Sequence, residues 1–445
     1  MLNQYFYSLL HKYFSLYIMP GDKIVEIDPK KPDLINQFRN DIKKSIVYIN
    51  ESAKNFGCQI LGSLQEVRAF KADYLINNGN LHYVRDIQSY LEKMREDACD
   101  QDTRVIFTYY SSAWRPFMRV ATALKLRIKD PEQNWISHED VDNLLYLSGY
   151  EMVKRDHKVL LPIYIPFFSN FANNYLAALP FFRIFTMVNI VIARPLITTS
   201  NHKLLHPSVS VVIPARNEAG NIEKAMLRLP KMGPDDEVIF VEGNSTDDTW
   251  DKIAEVEQKY GNKWNIKIAK QEGKGKGDAV RKGFSLATKD ILMILDADLT
   301  VPPEDLPKFY RAIITNKGEF VNGSRLVYPM EKEAMRFFNI LGNKFFATAF
   351  SFVLGQRFKD TLCGTKVLSR RHYIKIAQHR SYFGDFDPFG DFDLIFGASR
   401  LGLKIVEIPV GYKERTYGTT NIQRWKHGVI LLQMLIFAAR KIKFI

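Results

Sequence analysis

Cysteine is scarce: Cys58, Cys99 and Cys363 are all there are in 445 residues. They form neither a metal-ligand spacing nor a disulfide framework, which points to a reducing compartment. Long apolar runs are scarce too. The longest uncharged stretch, residues 159–182, carries Pro162, Pro166, Pro180 and several Asn, which excludes it as a spanning helix. The apolar stretches at 345–356 and 428–439 are too short to cross a bilayer. Residues 1–20 lack the charged start, apolar centre and small-residue cleavage site of a signal peptide. No internal repeat, low-complexity segment or long Lys/Arg tract is present. The net charge is nonetheless +13, spread along the chain. That favours anionic partners, a membrane face or phosphorylated substrates, and ranks nucleic acid last. The apolar fraction of 46% and charged fraction of 25% are ordinary for a folded protein, and the length allows two or three domains.

Residues 1–196 read as one α/β domain. β-like runs at 23–28, 45–50, 73–77 and 104–109 alternate with helical patterns such as 82–96 and 115–125, which suggests a doubly wound, Rossmann-like sheet. Asp73-Tyr-Leu-Ile-Asn-Asn, Val105-Ile-Phe-Thr-Tyr-Tyr with Trp114 following, Asn134-Trp-Ile-Ser and the late helix and strand at 144–153 resemble the later portion of class I S-adenosylmethionine-dependent methyltransferases. The loop after the first strand departs from that family. Such enzymes need glycines there so that the backbone can approach the ligand. Here Ile24-Val-Glu-Ile-Asp runs into Pro29, Lys30, Lys31 and Pro32. Where a ribose-binding acid belongs, the second strand offers Asn50 with Glu51 beside it. The expectation is a methyltransferase relic that does not bind S-adenosylmethionine and serves in docking or scaffolding.

Ile197-Thr-Thr-Ser-Asn-His-Lys lacks periodicity, so the joint is placed at 197–207 and the second domain at 208–445. Its centre is residues 291–300, Ile-Leu-Met-Ile-Leu-Asp-Ala-Asp-Leu-Thr. An apolar run of this kind is a buried parallel strand ending at the carboxyl edge of a sheet, where α/β proteins bind ligands. If the strand continues through them, Asp296 and Asp298 point to one side, and two such carboxylates call for a cation between them. A lone Asp-x-Asp by itself reads rather as a strand end followed by an acidic turn. Its neighbours favour the first reading. Ser208-Val-Ser-Val-Val-Ile-Pro, Glu237-Val-Ile-Phe-Val and the 291–295 run are apolar strands. Polar loops flank them, Pro214-Ala-Arg-Asn-Glu, Glu242-Gly-Asn-Ser-Thr-Asp-Asp-Thr and Gln271-Glu-Gly-Lys-Gly-Lys-Gly-Asp. These loops should gather on one edge.

Taken in order, these motifs resemble family 2 glycosyltransferases of the GT-A fold, most closely the dolichyl-phosphate mannosyltransferase-like branch, from Ser208 to about Gly428. The resemblance implies that Pro214, Ala215 and Glu218 line the nucleotide's base and ribose, with Glu242 accepting a hydrogen bond from the base. It implies that Lys274, Gly275 and Gly277 lie near the diphosphate, where backbone N–H groups and positive charge suit an anion. Asp298 would hold Mg²⁺ or Mn²⁺, with Asp296 on ribose or metal and Thr300 as a further oxygen. Arg325 of the Gly-Ser-Arg motif, and Arg336 beyond it, would contact acceptor phosphate. Asp360 begins an acceptor-site loop, Asp393 sits on a later helix that presents an acid, and Arg415 and Asn421 lie in a loop that closes over the donor phosphates. Gln423 directly precedes Arg424-Trp425, the wrong spacing for processive synthases, so polymer synthesis is discounted.

Two apolar helices complete this half, 337–354 and 425–445, the latter ending in Arg440, Lys441 and Lys443. Core packing explains either one. Together with the charge they suggest peripheral membrane contact. The reading is inverting, metal-dependent transfer of a sugar from a nucleotide diphosphate sugar to polyprenyl phosphate at the cytoplasmic membrane face. If the acceptor were a glycan hydroxyl, Asp360 or Asp393 would have to take its proton. A fused enzyme that glycosylates and methylates one glycan, and a non-catalytic assembly protein, are the other readings. Donor sugar, base and oligomeric state are left open.

Overall fold

The computed structural model describes all residues except 1, 30–31, 50–57, 126–133, 197–205, 329–336, 383–389, 416 and 418–423. The chain divides into two compact units, Met1–Ser200 with Arg440–Ile445, and Asn201–Ala439.

The first unit is built on β1 (Lys23–Ile27), β2 (Lys43–Val47), β3 (Gln59–Leu61), β4 (Tyr74–Asn78), β5 (Arg104–Tyr110), β6 (Tyr150–Lys158) and β7 (Val188–Pro195). Their order is β3-β2-β1-β4-β5-β7-β6. The first five pair in parallel. β7 runs antiparallel to both β5 and β6. Helices α1 (Leu2–Phe14), α2 (Leu64–Phe70), α3 (Ile87–Ala98), α4 (Arg115–Ala123), α5 (His138–Leu147) and α6 (Phe168–Asn174) fill the connections. Side chains start several of them: Ser63 caps α2, Asp86 caps α3, and Ser137 with Asp140 forms a capping box on α5. Val25, Ile27, Leu75, Val105, Phe107 and Val191 share one core with Leu91 and Met94 of α3. Strands buried on both faces need no polar alternation, which is why β5 and β7 read as near-continuous apolar runs.

At the carboxyl end of β1 the chain satisfies itself. The Asp28 carboxylate accepts the Ile49 N–H at 2.6 Å, and the Asn80 amide donates to the Ile27 carbonyl at 2.5 Å. Lys30, Lys31, Asn50 and Glu51 lie outside the described residues. The basic end of the chain behaves differently from the expectation of membrane contact. Lys443 is buried at 5% exposure and holds the buried Asp156 at 2.9 Å. Asp156 also faces Lys154 at 3.4 Å and accepts the Tyr17 hydroxyl at 3.0 Å. A buried carboxylate needs such partners, so Lys443 belongs to the interior while Arg440 and Lys441 remain exposed.

The second unit has β8 (Val209–Ala215), β9 (Glu237–Glu242), β10 (Asn265–Lys270), β11 (Ile291–Ile294), β12 (Phe320–Ser324), β13 (Lys366–Ser369) and β14 (Ile405–Pro409), in the order β10-β9-β8-β11-β13-β12-β14. All neighbours are parallel except β13, which is antiparallel to β11 and β12. Its helices are α7 (Ala219–Arg228), α8 (Thr249–Tyr260), α9 (Lys276–Leu286), α10 (Leu306–Ile314), α11 (Phe337–Leu354), α12 (Arg370–Gln378), α13 (Phe392–Arg400) and α14 (Arg424–Ala438). α9 seats directly on β8: a Cβ on Gly283 would stand 2.3 Å from Cγ1 of Val212. Both units are thus α/β, as the strand–helix alternation implies.

The apolar helices α11 and α14 each divide between core and surface. Phe350 stacks near Phe392 and Phe396, at 4.8 and 5.8 Å between ring centroids. Leu341, Phe345, Val429 and Ile436 stay exposed. No helix of the described residues is long and apolar enough to cross a membrane.

Glu26 on β1 yields a pH prediction. Its side chain is 2% exposed and Oε2 has no hydrogen-bond partner among the described residues. Burial pushes its carboxyl from the ordinary 4.5 up to about 8, partly offset by an N–H bond from Ile35. A raised folded-state value means stability that is complete below 4.5 and lost as pH rises through 8. Melting temperature followed by circular dichroism should therefore fall across this window in the wild type, and Glu26→Gln should flatten the fall.

Candidate functional site

The register of the second sheet places its carboxyl ends level. Ala215 pairs with Glu242, and Glu242 with Lys270. Ile294 pairs with Val212, so the residues just past β11 emerge beside Pro214. The loops after these strands meet there. Glu242 is 4% exposed, and its carboxylate accepts the Ser245 N–H, which folds the following loop back onto the strand. Asn217 and Asn244, with φ of 56° and 57°, tighten the two loops; asparagine tolerates this left-handed region better than most residues.

The condition under which Asp296 and Asp298 would share a strand face is not met. β11 ends at Ile294, the Leu299 N–H donates to the Asp296 carbonyl at 3.1 Å, and Leu299 has φ 53°. The acids stand in a turn and take different partners. Asp296 meets Lys276 Nζ at 2.6 Å. Asp298 accepts Arg415 at 2.6 Å on one oxygen, and the N–H and hydroxyl of Thr300 at 3.1 and 2.9 Å on the other. Arg415 reaches on to Glu218, donating at 2.9 Å, so one guanidinium ties the loop after β14 to those after β8 and β11. Burial pushes the Glu218 carboxyl up to about 7, against hydrogen bonds from Asn221 and the charge of Arg415, and with the repulsion of Asp298.

The α9 entrance closes the other side. Gly275 takes φ 84° and Lys276 begins the helix. Lys274 points to solvent. Burial works against the charge of Lys276, but Asp296 and Asp391 override it and hold the ammonium above its ordinary range. Two glycines let other segments approach. A Cβ on Gly364 would lie 1.9 Å from Oδ2 of Asp296, and one on Gly390 2.5 Å from Cα of Gly277. Lys366, fully buried, pairs with Asp391 at 3.2 Å. Asp391 and Asp247, which accepts the Tyr417 hydroxyl at 3.2 Å, stand beside these residues and were not singled out by motif reading, whereas Lys276 was taken only as part of the 274–277 loop. Lys276 sits inside the Gly/Lys motif, two positions from Lys274, where only the helix start distinguishes them.

At the end of β12, Arg325 and Asp360 hold each other. Arg325 donates from Nε at 2.7 Å and from its terminal nitrogen at 2.9 Å, forming a two-pronged pair. Asp360, 0% exposed, also accepts Asn343 at 2.9 Å and the Leu362 N–H at 3.0 Å. Burial alone would raise its carboxyl, but the Arg325 charge and these bonds hold it down at about 2. A saturated, buried carboxylate is a poor proton acceptor, so Asp360 positions Arg325 here. Asp393 is engaged too, accepting Arg380 at 3.0 Å with Arg281 at 3.6 Å. Arg336 and Asn421 lie outside the described residues.

Among the described residues no group of three or more His, Cys, Asp or Glu could hold a metal by itself. Asp296, Asp298 and Thr300 supply hard oxygens. That chemistry fits Mg²⁺ or Mn²⁺ when a substrate phosphate completes the ligand set.

The Arg325–Asp360 pair can be tested by stability. Asp360→Ala leaves a largely buried guanidinium without its carboxylate and should cost about 3 kcal/mol of unfolding free energy in urea titrations. Replacing both residues by apolar ones should cost much less.

Residues 210–376 match the family model Glycosyl transferase family 2. The chain is 37% identical over 139 residues to a dolichol-phosphate mannosyltransferase of Pyrococcus furiosus, covering 31% of this chain and 38% of that one. It is 28% identical over 221 residues to an undecaprenyl-phosphate 4-deoxy-4-formamido-L-arabinose transferase of Enterobacter sp., covering 48% and 62%. Glycosyltransferase AglJ of Haloferax volcanii is 28% identical over 236 residues, covering 52% and 72%. The chain thus spans less than two thirds of the first two relatives. A crystal structure of glucosyl-3-phosphoglycerate synthase from Mycobacterium tuberculosis with Mn²⁺ and uridine diphosphate aligns at 20% identity and TM-score 0.39, over 53% of this chain and 80% of that one. Residues 210–376, the span that the family model matches, run from β8 to α12 of the second unit and include Ala215, Glu218, Glu242, Asp296 and Asp298 of the rim.

Proposed function

We propose that the second unit moves a sugar, with inversion, from a nucleotide diphosphate sugar to a polyprenyl phosphate at the cytoplasmic face of a membrane. The observation that carries this reading is the rim of the sheet. Ala215, Glu218, Glu242, Asp296 and Asp298 gather there, bound together by Arg415 and Lys276. The names of the first two relatives, each a transferase acting on a lipid phosphate, support the acceptor class.

In this reading Pro214, Ala215, Glu218 and Glu242 receive the base and ribose. Asp298, Asp296 and Thr300 would hold Mg²⁺ or Mn²⁺, which when bound neutralises the departing diphosphate. Lys276 and Arg415 add positive charge on either side, with the α9 entrance at Gly275 and Gly277 beneath. A phosphate acceptor is already anionic near neutral pH, so positioning and charge neutralisation suffice. Arg325, held rigid by Asp360, orients the acceptor phosphate. A hydroxyl acceptor would require a free base, and the arginine partners of Asp360 and Asp393 weigh against that alternative. The first unit, in which Asp28 and Asn80 bond to backbone at the end of β1, acts in this reading as a scaffold that does not bind S-adenosylmethionine.

The test is transfer of label from a panel of nucleotide sugars, first screened by thermal shift with Mn²⁺, to polyprenyl phosphate. Asp298→Ala should lower transfer by about 100-fold or more, and chelation should do the same. Equal transfer by the folded variant, or soluble sugars accepting as well as the lipid phosphate, overturns the reading.

A further inference from the structure

The connection between β6 and β7 in the first unit is far longer than its geometry demands. Antiparallel neighbours can be joined by two residues, yet here the chain runs through residues 159–187. It is also partly turned inside out. Several of its polar side chains point inward: Asn173, 1% exposed, holds the N–H groups of Leu160 and Leu161 at 2.8 and 2.9 Å. Ser169, fully buried, accepts the Ile165 N–H at 2.8 Å and donates to the Ile163 carbonyl at 2.7 Å. Most of its large apolar side chains point outward. Phe167 is 92% exposed, Phe181 68%, Ile184 66%, Tyr164 56%, Phe168 55% and Phe171 51%. Phe167 projects from φ 60°, a region that bulky residues avoid unless surrounding structure enforces it.

Helix α4 extends this surface. Trp114, which precedes it, donates its indole N–H to the Phe185 carbonyl at 2.8 Å. None of the α4 residues is buried. Phe117, Val120 and Leu124 are 66%, 57% and 65% exposed, and their spacing puts them on one side of the helix. An amphipathic helix ordinarily buries its apolar side; this one leaves it in the open. The charge is one-sided as well. Residues 111–125 and 159–187 contain Arg115, Arg119, Lys125 and Arg183 and not one Asp or Glu. Arg115, Arg119 and Lys125 are exposed.

We propose that α4 and the β6–β7 connection form a membrane-docking surface, which lies in the interface of an anionic lipid leaflet. Aromatic side chains interleaved with arginine and lysine suit the boundary between headgroups and acyl chains. The absence of acid from both segments matches the negative charge of such a leaflet. A second copy of this chain is a worse occupant, because a two-fold contact would set the same basic surface against itself. At nine and seven residues, α4 and α6 are too short to span, so the contact is one of lying on the bilayer. The inference rests on the proposed function only for the presence of a membrane, and vesicle binding is measured without any sugar transfer.

The full chain is mixed with phosphatidylcholine vesicles, with and without phosphatidylglycerol, and floated through a density gradient. The wild type should float with the anionic vesicles, less with the neutral ones, and less as salt rises. Phe167→Ser with Phe181→Ser should lower partitioning by about tenfold or more, and Arg115→Glu with Arg119→Glu should remove the preference for anionic lipid. Because these side chains pack against little, circular dichroism should be unchanged. Transfer to a water-soluble short-chain prenyl phosphate should persist in both variants if the second unit is a lipid-phosphate transferase. Wild type that stays with the unfloated fraction, or serine variants that float as it does, overturns the docking surface. So does a wild-type dimer in sedimentation that the serine substitutions dissociate. Loss of transfer with intact flotation would strike the proposed function alone.

Discussion

Four carboxylates converge on one edge of the second sheet, and their mutual repulsion is the constraint that the rest of the site answers. Parallel strands with level ends bring Glu218, Glu242, Asp296 and Asp298 together regardless of charge. Each is then met by a donor from elsewhere in the chain. Arg415 bridges Glu218 and Asp298, Lys276 covers Asp296, and the Ser245 N–H takes Glu242. The partners come from three different connections, so neutralising the acids also fastens those loops over the rim. A ligand carrying a diphosphate would add negative charge to the same place. In the proposed function, that is why a divalent cation and two protein cations belong there together. Glu218, pushed up by burial to about 7, shows how close the balance is.

At the end of β12 the same problem is answered by burying the carboxylate. Asp360 and Arg325 form a two-pronged pair with no solvent at the carboxylate. Such a pair gains geometry more than stability, because desolvation offsets much of the attraction. What it secures is a guanidinium whose position hardly varies, at the end of β12 and 5.1 Å from the Tyr412 ring centroid. Motif reading placed both residues in the site but as separate actors. The thirty-five positions between them carry no local signal of contact.

What was legible from the amino-acid order follows from the range of the forces involved. Strands read correctly because apolar runs and their stops are local: β1, β4, β5, β8, β9 and β11 all lie where the patterns put them. The three-residue β3 is too short to show a pattern. The turn at 296–299 is one of the two readings that the Asp-x-Asp allows, and nothing local decides for it, because a positive φ at Leu299 has no signature in leucine. Partner choice was the least legible. Nothing in residues 274–277 says that Lys276 is turned in and Lys274 out until the first turn of α9 is built. The end of the chain misled for a similar reason: Lys443 looks like a surface cation until Asp156, far away in sequence, is seen to need it.

The charge excess can now be divided. Composition alone gives +13 for the whole chain, which says little about where an anionic partner would land. The structure separates lysines that are consumed internally from cations that are not. Lys154 and Lys443 serve Asp156, Lys366 serves Asp391, and Lys276 serves Asp296. These contribute to the net charge and nothing to a surface field at short range. Arg115, Arg119 and Lys125 are exposed, and neither of the two segments that build their surface contains an acid. Exposed cations with no acid in the same segments therefore stand beside the exposed aromatics of the first unit. Charge and apolar area coinciding on one surface is a stronger constraint on its partner than either alone. Water tolerates the first but not the second, and a protein core the reverse. An anionic lipid interface accommodates both.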